Sequence, residues 1–303
     1  MADIEILNSE ARTLTIVGTG LLGASLGLAL RQAGYEGHRI GVGRRVRTVE
    51  QAADLGCIDE ATTDLAEAAA RSRLLVLATP VGRFSSLLEQ LAAVRNENLI
   101  ITDVGSTKVQ VCESAKRLLE APQRFVGAHP MAGSEQSGPD AARGDLFAGK
   151  PCVICAASDA DSDAVELVEA LWSVVGMQIV HLAAQQHDRA VAAISHLPHV
   201  LSATLVQSVE LLGGWELAST GFRDATRLAS SNPAMRADIM ISNRQEILCA
   251  LDNFSGQLVA LRRILAVGNE ADLVPFLEQQ KRLRDRWLKQ KGEDFQGGRR
   301  HES

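Results

Sequence analysis

Polar residues whose chemistry could act on a small molecule stand in three segments of the chain. The first, residues 127–138, reads GAHPMAGSEQSG, so His129 ends an apolar run and precedes a small-residue loop that carries Glu135. Histidine titrates near neutrality and can accept a proton from a hydroxyl group. A loop histidine that hydrogen-bonds to local backbone would give the same pattern. The residues alone therefore leave catalysis and local structure both open.

The second segment, residues 103–108, reads DVGSTK and directly follows the apolar run NLIIT. This order predicts a strand end, a turn and a helix start. Ser106 or Thr107 could cap that helix. Alternatively, the Ser106 hydroxyl lies beside a cofactor and a substrate, and the spacing favours neither interpretation.

The third segment places histidines and arginines close together. His196 and His199 flank a proline in ISHLPH, but no third ligand at metal spacing accompanies them, so we expect no metal site. The run GFRDATR follows a helix break, and its arginines suit an anionic substrate because guanidinium binds carboxylate through two hydrogen bonds. The alternative for Arg227 is an ion pair with Asp224, three residues earlier.

A glycine motif identifies the ligand class of the first half. An apolar strand runs into G-x-G-x-x-G, in which Gly18 allows a sharp turn, Gly20 lets backbone approach a pyrophosphate and Gly23 lets a helix pack closely. The helix that begins near Leu21 and Leu22 offers free N–H groups to phosphates. The strand before and the apolar helix after the motif favour dinucleotide binding.

The end of the second predicted strand indicates which dinucleotide binds. An acidic residue there binds the ribose 2′-hydroxyl of NAD, whereas arginine accommodates the 2′-phosphate of NADP. No acid stands at Gly43, and Arg44, Arg45 and Arg47 follow at once. We therefore expect NADP, with NAD as the alternative if these arginines only belong to a solvated helix start.

The elements that must position these residues follow from the hydrophobic pattern. Apolar runs alternate with amphipathic stretches over residues 12–183, which predicts a parallel, doubly wound α/β sheet of the Rossmann type. Strands are expected at 14–18, 39–43, 74–79, 98–103, 124–128, 151–156 and 177–182. Ligands of such sheets bind at the carboxyl ends of strands. We expect Thr79, Pro80 and Asp103, which stand at those ends, to contribute to cofactor binding.

The strand signal stops near residue 183. Helical periodicity follows over 185–211, 233–267 and 270–291, with Pro198 expected to kink or interrupt the first stretch. The predicted organisation is a dinucleotide-binding domain over 1–183, a helical domain over 184–291 and a disordered tail over 292–303. The apolar surface of the helices is expected to form a homodimer interface or to pack against the first domain.

Composition excludes several classes of protein. The 303 residues carry a net charge of −6, which argues against a nucleic-acid-binding surface. We find no apolar stretch near the roughly 20 residues that span a bilayer, and the acidic N-terminus is unlike a secretory signal. We therefore expect a cytoplasmic protein without a membrane partner. Cys152 and Cys155 form C-x-x-C, but no second Cys or His pair stands at zinc spacing, so we expect buried, reduced cysteines.

Five motifs in one order carry a resemblance to a known family. The glycine loop, DVGSTK, GAHPMAGSEQSG, ISHLPH and GFRDATRLASSNP together resemble prephenate dehydrogenases, a family that includes arogenate and cyclohexadienyl dehydrogenases. The resemblance covers about residues 12–290. It implies a Rossmann domain, a dimerising helical domain and an active site in the cleft between them. The implied reaction is oxidative decarboxylation of prephenate to 4-hydroxyphenylpyruvate, or of arogenate to tyrosine.

The resemblance also implies roles for individual residues. His129 would accept the proton of the substrate 4-hydroxyl, and Ser106 would bind the same hydroxyl. Arg227 would hold the ring carboxylate. The other substrate-site residues implied are His199 and Glu135 at the side-chain end, with Asp224 supporting the pocket. One departure concerns Arg236, because some family members carry an aromatic residue at that position.

Two other functions compete with this interpretation. A β-hydroxyacid dehydrogenase or imine reductase has the same plan, but hydroxyacid members usually present a lysine where this chain has HDRAVAAISHLPH. A non-catalytic, dimeric NADP-sensing module would need neither His129 nor Arg227. A spectrophotometric assay with both candidate substrates separates these possibilities.

Overall fold

The computed structural model describes residues 2–134 and 136–290, together with Gly292. The predicted substrate residue Glu135 and almost all of the predicted tail therefore lie outside the described residues. The chain divides into two compact units, Met1–Leu248 and Cys249–Ser303.

Within the described residues, the first unit contains one eight-stranded sheet. Its strands are β1 (Thr13–Val17), β2 (His38–Val42), β3 (Glu60–Thr62), β4 (Leu74–Leu77), β5 (Ile100–Asp103), β6 (Phe125–Pro130), β7 (Pro151–Ala156) and β8 (Gln178–His181). Their spatial order is β3-β2-β1-β4-β5-β6-β7-β8. The seven predicted strands are all present, whereas the short polar strand β3 lacks the apolar pattern that would have predicted it.

The expectation of a fully parallel sheet is wrong at one pair of strands. All neighbouring strands are parallel except β6 and β7, which are antiparallel, with His129 opposite Val153. A parallel connection needs a long crossover, usually a helix. Among the described residues between these strands, the structure contains only loop and a single 3-10 turn, Pro139–Ala141, so the chain returns in the opposite direction.

Helices flank the sheet and continue beyond it. Those of the first part are α1 (Ala2–Glu10), α2 (Leu21–Gln32), α3 (Val46–Asp54), α4 (Leu65–Ala70), α5 (Phe84–Ala92), α6 (Val109–Leu118) and α7 (Ser162–Val174). The later helices are α8 (Ala184–Val191), α9 (Leu197–Leu212), α10 (Thr220–Thr226), α11 (Pro233–Ser242), α12 (Arg244–Val267) and α13 (Glu270–Gln290).

Buried apolar clusters lie on both faces of the sheet, and strand β4 contributes side chains to both clusters. Leu74 and Val76 belong to one buried cluster, and Leu75 and Leu77 belong to the other. Successive strand side chains point to opposite faces, and parallel sheets covered by helices are apolar on both. The continuous apolar run of β4 therefore reflects its central position.

Two irregularities shape the helical part. A π-helical turn, Ala192–His196, joins α8 to α9, and Pro198 lies in the first turn of α9, where its missing N–H is tolerated. The predicted helix over 233–267 is instead broken at Asn243, which caps α11. The hydrophobic period does not predict this break. The Asn243 side chain is buried and makes hydrogen bonds to Asp188 and His196.

One expectation about apolar length is also corrected. Among the described residues, the helical stretch Ala184–Leu212 is long enough for a membrane span and contains an 18-residue window with a mean hydropathy of 1.2. This is weak evidence for a span, because the core helices of soluble proteins pass the same test. His187 and Asp188 at its start are buried in hydrogen bonds to the first unit's other elements.

The second unit contains the rest of α12 and helix α13. Exposed ion pairs one turn apart occur along α13, such as Lys281 with Asp285 at 2.6 Å. Pro275 lies in the second turn of this helix. This unit carries none of the predicted site residues.

Candidate active site

The glycine motif has the geometry that each of its positions predicts. Gly18 has φ +102°, a conformation that side chains rarely adopt. A Cβ on Gly23 would lie 2.0 Å from the carbonyl oxygen of Gly18, so only glycine allows α2 to pack this closely. A Cβ on Gly20 would meet nothing within 4 Å, and no side chain caps α2 there. Open space beside uncapped N–H groups fits a pyrophosphate.

The remaining predicted cofactor residues surround this loop. Thr79 follows β4, and its Cγ2 would lie 2.9 Å from a Cβ on Gly18. Pro80 is exposed beside it, and Leu21 and Leu22 form the first turn of α2, half-buried against the core. The structure therefore brings the ends of β1 and β4 together.

Arg44 and Arg45 are exposed after β2, and Arg45 takes the N-cap position of α3. Neither side chain makes a hydrogen bond or ion pair within the described part of the chain. Both guanidinium groups are therefore available to an external anion.

Asp103 serves the loop that follows β5. Its carboxylate is fully buried and accepts hydrogen bonds from the backbone N–H groups of Gly105 (2.8 Å) and Ala128 (3.0 Å). It also forms a buried ion pair with Lys108. Burial raises the pKa of Asp103, and the Lys108 ammonium opposes that rise. These contacts fix the loop that carries Ser106, which is half-exposed.

His129, near the end of β6, lies in a chain of buried side chains. Its Nδ1 is 2.8 Å from Nε2 of His187, whose Nδ1 is 2.7 Å from Oδ1 of Asp188. Asp188 in turn accepts hydrogen bonds from the backbone N–H groups of Lys108 (2.7 Å) and Val109 (2.9 Å) at the start of α6. The carboxylate is thus held at a helix N-terminus, where negative charge is stabilised.

This chain determines which nitrogen of His129 carries a proton. The ionised Asp188 carboxylate can only accept, so Nδ1–H of His187 donates to it. A neutral His187 then has a lone pair on Nε2, which accepts from Nδ1–H of His129. Nε2 of His129 is left with a free lone pair, the state that a general base requires.

The electrostatic surroundings keep His129 unprotonated. Burial is the main cause that holds the pKa of His129 well below its usual value, and the nearby His187, Lys108 and His196 add to it. With 9% of its surface exposed, the residue still reaches solvent. His129 is therefore a neutral base at physiological pH.

His196 joins the same cluster through Asn243. The Asn243 amide donates to the backbone carbonyl of Asp188 (2.8 Å) and lies 3.1 Å from Nδ1 of His196. Burial lowers the pKa of His196 to about 4, although Asp188 opposes the shift. The break between α11 and α12 thus supplies a polar side chain to the histidine cluster.

The predicted substrate residues lie next to this cluster. His199, one turn after His196, is buried, and its Nδ1–H donates to the carbonyl oxygen of Leu228 (3.2 Å). Arg227 is exposed at the end of α10, and its charge helps to lower the pKa of His199, for which burial is the main cause. Asp224 is exposed and pairs with Arg223 (3.4 Å), so the alternative pairing of Asp224 with Arg227 is wrong.

Sequence reasoning missed several residues of this site, namely His187, Asp188, Lys108 and Asn243. The adjacent pair His187-Asp188 was the available signal, but it stands in the polar stretch AQQHDRAV, whose composition does not indicate that the pair is buried and needs partners. Their partners are not local: Lys108 and Asp188 are 80 residues apart. Among the described residues, no group of three or more His, Cys, Asp or Glu side chains could hold a metal ion.

Comparison with known proteins identifies the family. The prephenate dehydrogenase nucleotide-binding domain matches residues 26–181, and the prephenate dehydrogenase dimerization domain matches residues 183–279. The chain belongs to the prephenate dehydrogenase family. The resemblance carried by the five motifs is thereby confirmed, as is the Rossmann domain followed by a helical domain. As a member of this family, the protein is an NAD(P)-dependent oxidoreductase.

Individual members of the prephenate dehydrogenase family match over most of their length. A prephenate dehydrogenase from Bacillus subtilis (strain 168) is 33% identical over 294 residues, 94% of this chain and 79% of the relative. A solved prephenate dehydrogenase from A. aeolicus, in complex with hydroxyphenyl propionate and NAD+, is 30% identical with a TM-score of 0.86, covering 90% of this chain and 97% of that one. A Synechocystis arogenate dehydrogenase is 31% identical with a TM-score of 0.80, covering 91% and 99%.

Proposed function

We propose that the protein catalyses the oxidative decarboxylation of prephenate to 4-hydroxyphenylpyruvate in tyrosine biosynthesis, with NADP as the hydride acceptor. Membership of the prephenate dehydrogenase family supports the reaction class. The observation that carries the proposal is the buried hydrogen-bond chain that ends on a free Nε2 of His129. A protein that only senses a nucleotide has no use for a base prepared in this way.

His129 removes the proton of the substrate 4-hydroxyl through Nε2. Positive charge grows on the oxygen-bearing carbon as hydride leaves, and loss of the hydroxyl proton relieves it. The ring then becomes aromatic as its carboxylate departs as carbon dioxide. In this scheme Ser106 contacts the same hydroxyl, and its loop is held in place by the buried pair of Asp103 and Lys108.

Arg227 binds the ring carboxylate, for which its exposed and unpaired guanidinium is suited. His199 contacts the side-chain end of the substrate, and Asp224 supports the pocket from the same segment as Arg227. Glu135 is expected at the side-chain end as well, although it lies outside the described residues.

The nicotinamide cofactor supplies the hydride acceptor when it is bound. Residues Gly18, Gly20, Leu21, Leu22 and Gly23 would hold its pyrophosphate, with Thr79 and Pro80 beside them. Arg44 and Arg45 would bind the 2′-phosphate of NADP, because no acid precedes them to repel it. Asp103 would act by shaping the loop, since its oxygens already have buried partners.

The helical domain would form a homodimer in the cytoplasm. Large apolar side chains exposed on the first unit support this, with Leu211, Leu212 and Leu217 each about four-fifths exposed (78%, 87% and 82%). We place the boundary between the dinucleotide-binding and helical domains at 183/184, after β8. The helical domain then extends to residue 291.

Absorbance at 340 nm tests the proposal directly. The purified protein is assayed with prephenate and with arogenate, each with NADP and with NAD. Turnover of prephenate, faster with NADP, is the expected result. Turnover of arogenate alone would replace the substrate assignment. Cofactor binding without turnover of either compound would favour the non-catalytic sensor.

A further inference from the structure

Arg236 has an unmet hydrogen-bonding requirement near the candidate site. It lies in the first half of α11, with its side chain half-buried. Its Nε is buried and has no hydrogen-bond partner among the described residues. Buried polar groups in proteins are almost always hydrogen-bonded. The guanidinium of Arg236 therefore has a nitrogen that an acceptor from solvent or from a bound ligand can still satisfy.

The position of Arg236 on α11 places it on the side of the histidine cluster. Residues three, four and seven apart lie on one helix face. Ile239, three residues on, is buried, and Asn243, seven residues on, lies 3.1 Å from Nδ1 of His196. The charge of Arg236 also lowers the pKa of both His196 and His199, in agreement with this placement.

The positive charges of two guanidinium groups both lower the pKa of one imidazole, that of His199. Arg227 and Arg236 are the two charged side chains that most affect His199. Neither arginine forms an ion pair with an acidic side chain among the described residues. Two unneutralised cations beside one buried histidine favour a ligand with two separated negative charges.

We propose that Arg236 binds the carboxylate on the three-carbon side chain of the substrate and selects a 2-oxo acid over a 2-amino acid. The inference rests on the proposed function, in which Arg227 binds the ring carboxylate. Prephenate carries two carboxylates and no cation, so it matches two guanidinium groups. Arogenate carries an ammonium group next to its side-chain carboxylate, and Arg236 would repel that charge.

The test compares Arg236→Gln with the wild type on prephenate and on arogenate. The variant is expected to lose about 10- to 100-fold in kcat/KM for prephenate, mainly through KM, because a charged hydrogen bond is removed. Its kcat/KM for arogenate should change much less, so that the preference for prephenate falls. Arg236→Lys keeps the charge and should retain most of the preference. Arg95→Gln, an exposed arginine between α5 and β5, controls for net charge.

The possible outcomes separate this inference from the proposed function. If the wild type converts neither compound, the proposed function fails. If the wild type converts prephenate and the substrate preference of Arg236→Gln is unchanged, only the role of Arg236 is refuted.

Should Arg236→Gln not fold, inhibition of the wild type by 3-(4-hydroxyphenyl)propionate and by tyrosine decides the matter. Stronger inhibition by the propionate, about tenfold or more, supports the proposal. Equal or stronger inhibition by tyrosine overturns it.

Discussion

The imidazole rings of His129 and His187 meet edge to face, with Nδ1 of His129 2.8 Å from Nε2 of His187. One ring stands at the carboxyl end of β6, and the other stands on α8. Because Nδ1–H of His187 donates to Asp188, Nε2 of His187 accepts from Nδ1–H of His129, and Nε2 of His129 is left as the basic atom. Helix α8 therefore holds His129, a residue of β6, in the tautomer that a general base requires.

Replacing the base tests the proposed chemistry most directly. His129→Asn should keep cofactor binding and lower kcat about 100- to 10,000-fold, the usual loss when a positioned general base is removed. Steady-state kinetics and a separate cofactor titration give the two quantities. His181→Asn, on the exposed edge strand β8, is the matched control and should behave as the wild type. Near-normal turnover in the His129 variant would contradict the mechanism.

The hydrogen-bond chain makes a second prediction about proton placement. In Asp188→Asn the amide nitrogen replaces either Oδ1, which also accepts from the Lys108 N–H, or Oδ2, which accepts from the Val109 N–H, so one backbone donor loses its acceptor in either orientation. With the nitrogen at the Oδ1 position, the amide donates to Nδ1 of His187, which places the proton of His187 on Nε2, facing His129. His129 would then carry its own proton on Nε2, the wrong tautomer for a base. We expect kcat to fall at least about tenfold, with a smaller change in KM.

His187→Gln provides the comparison for that variant. The glutamine carbonyl oxygen can still accept from Nδ1–H of His129, so this variant should retain more activity than Asp188→Asn. A purely structural role for the chain predicts that activity follows thermal stability in both variants. If the two variants lose activity in proportion to their Tm values, the tautomer argument is wrong.

Local pattern was sufficient to predict much of the fold and part of the site. The glycine motif, the strands and the family all follow from short stretches whose spacing has a direct physical meaning, as with the turn at Gly18. The antiparallel direction of β7 was not predictable from apolar runs, because the apolar pattern of a buried strand does not depend on the direction of the strand. The contacts of Asp188 with Lys108 and of His187 with His129 join residues 80 and 58 positions apart, and no local period records them.

Cofactor preference provides a third prediction. Arg44→Asp places a carboxylate where the 2′-phosphate of NADP is expected and where NAD has a hydroxyl that the carboxylate can bind. The ratio of kcat/KM with NADP to that with NAD should fall at least about tenfold, because an attractive charge becomes a repulsive one. Arg95→Asp makes the same change of charge away from the sheet's carboxyl edge and should leave the ratio unaltered. An unchanged ratio in Arg44→Asp would remove the assignment of NADP.

The buried His196 predicts a specific dependence of stability on pH. Its pKa is about 4 in the folded state, below the ordinary value of about 6.5 in the unfolded chain. Between these two pH values the unfolded chain binds the proton more readily than the folded protein does. The contribution of His196 to the free energy of unfolding is therefore complete above pH 6.5 and is lost as the pH falls towards 4. From pH 7 to pH 5 this residue should lower the free energy of unfolding by about 2 kcal/mol. Urea denaturation at fixed protein concentration measures the change.

His196→Asn isolates that contribution, because the asparagine carbonyl can still accept a hydrogen bond from Asn243 but cannot titrate. The fall in unfolding free energy between pH 7 and pH 5 should be about 2 kcal/mol smaller in this variant than in the wild type. His181→Asn, which removes an exposed histidine, should leave the fall unchanged. Since His129 and His199 also have lowered pKa values, some loss of stability on acidification remains in His196→Asn. If His196→Asn and the wild type lose equal stability, His196 is protonated as readily in the folded protein as in the unfolded chain.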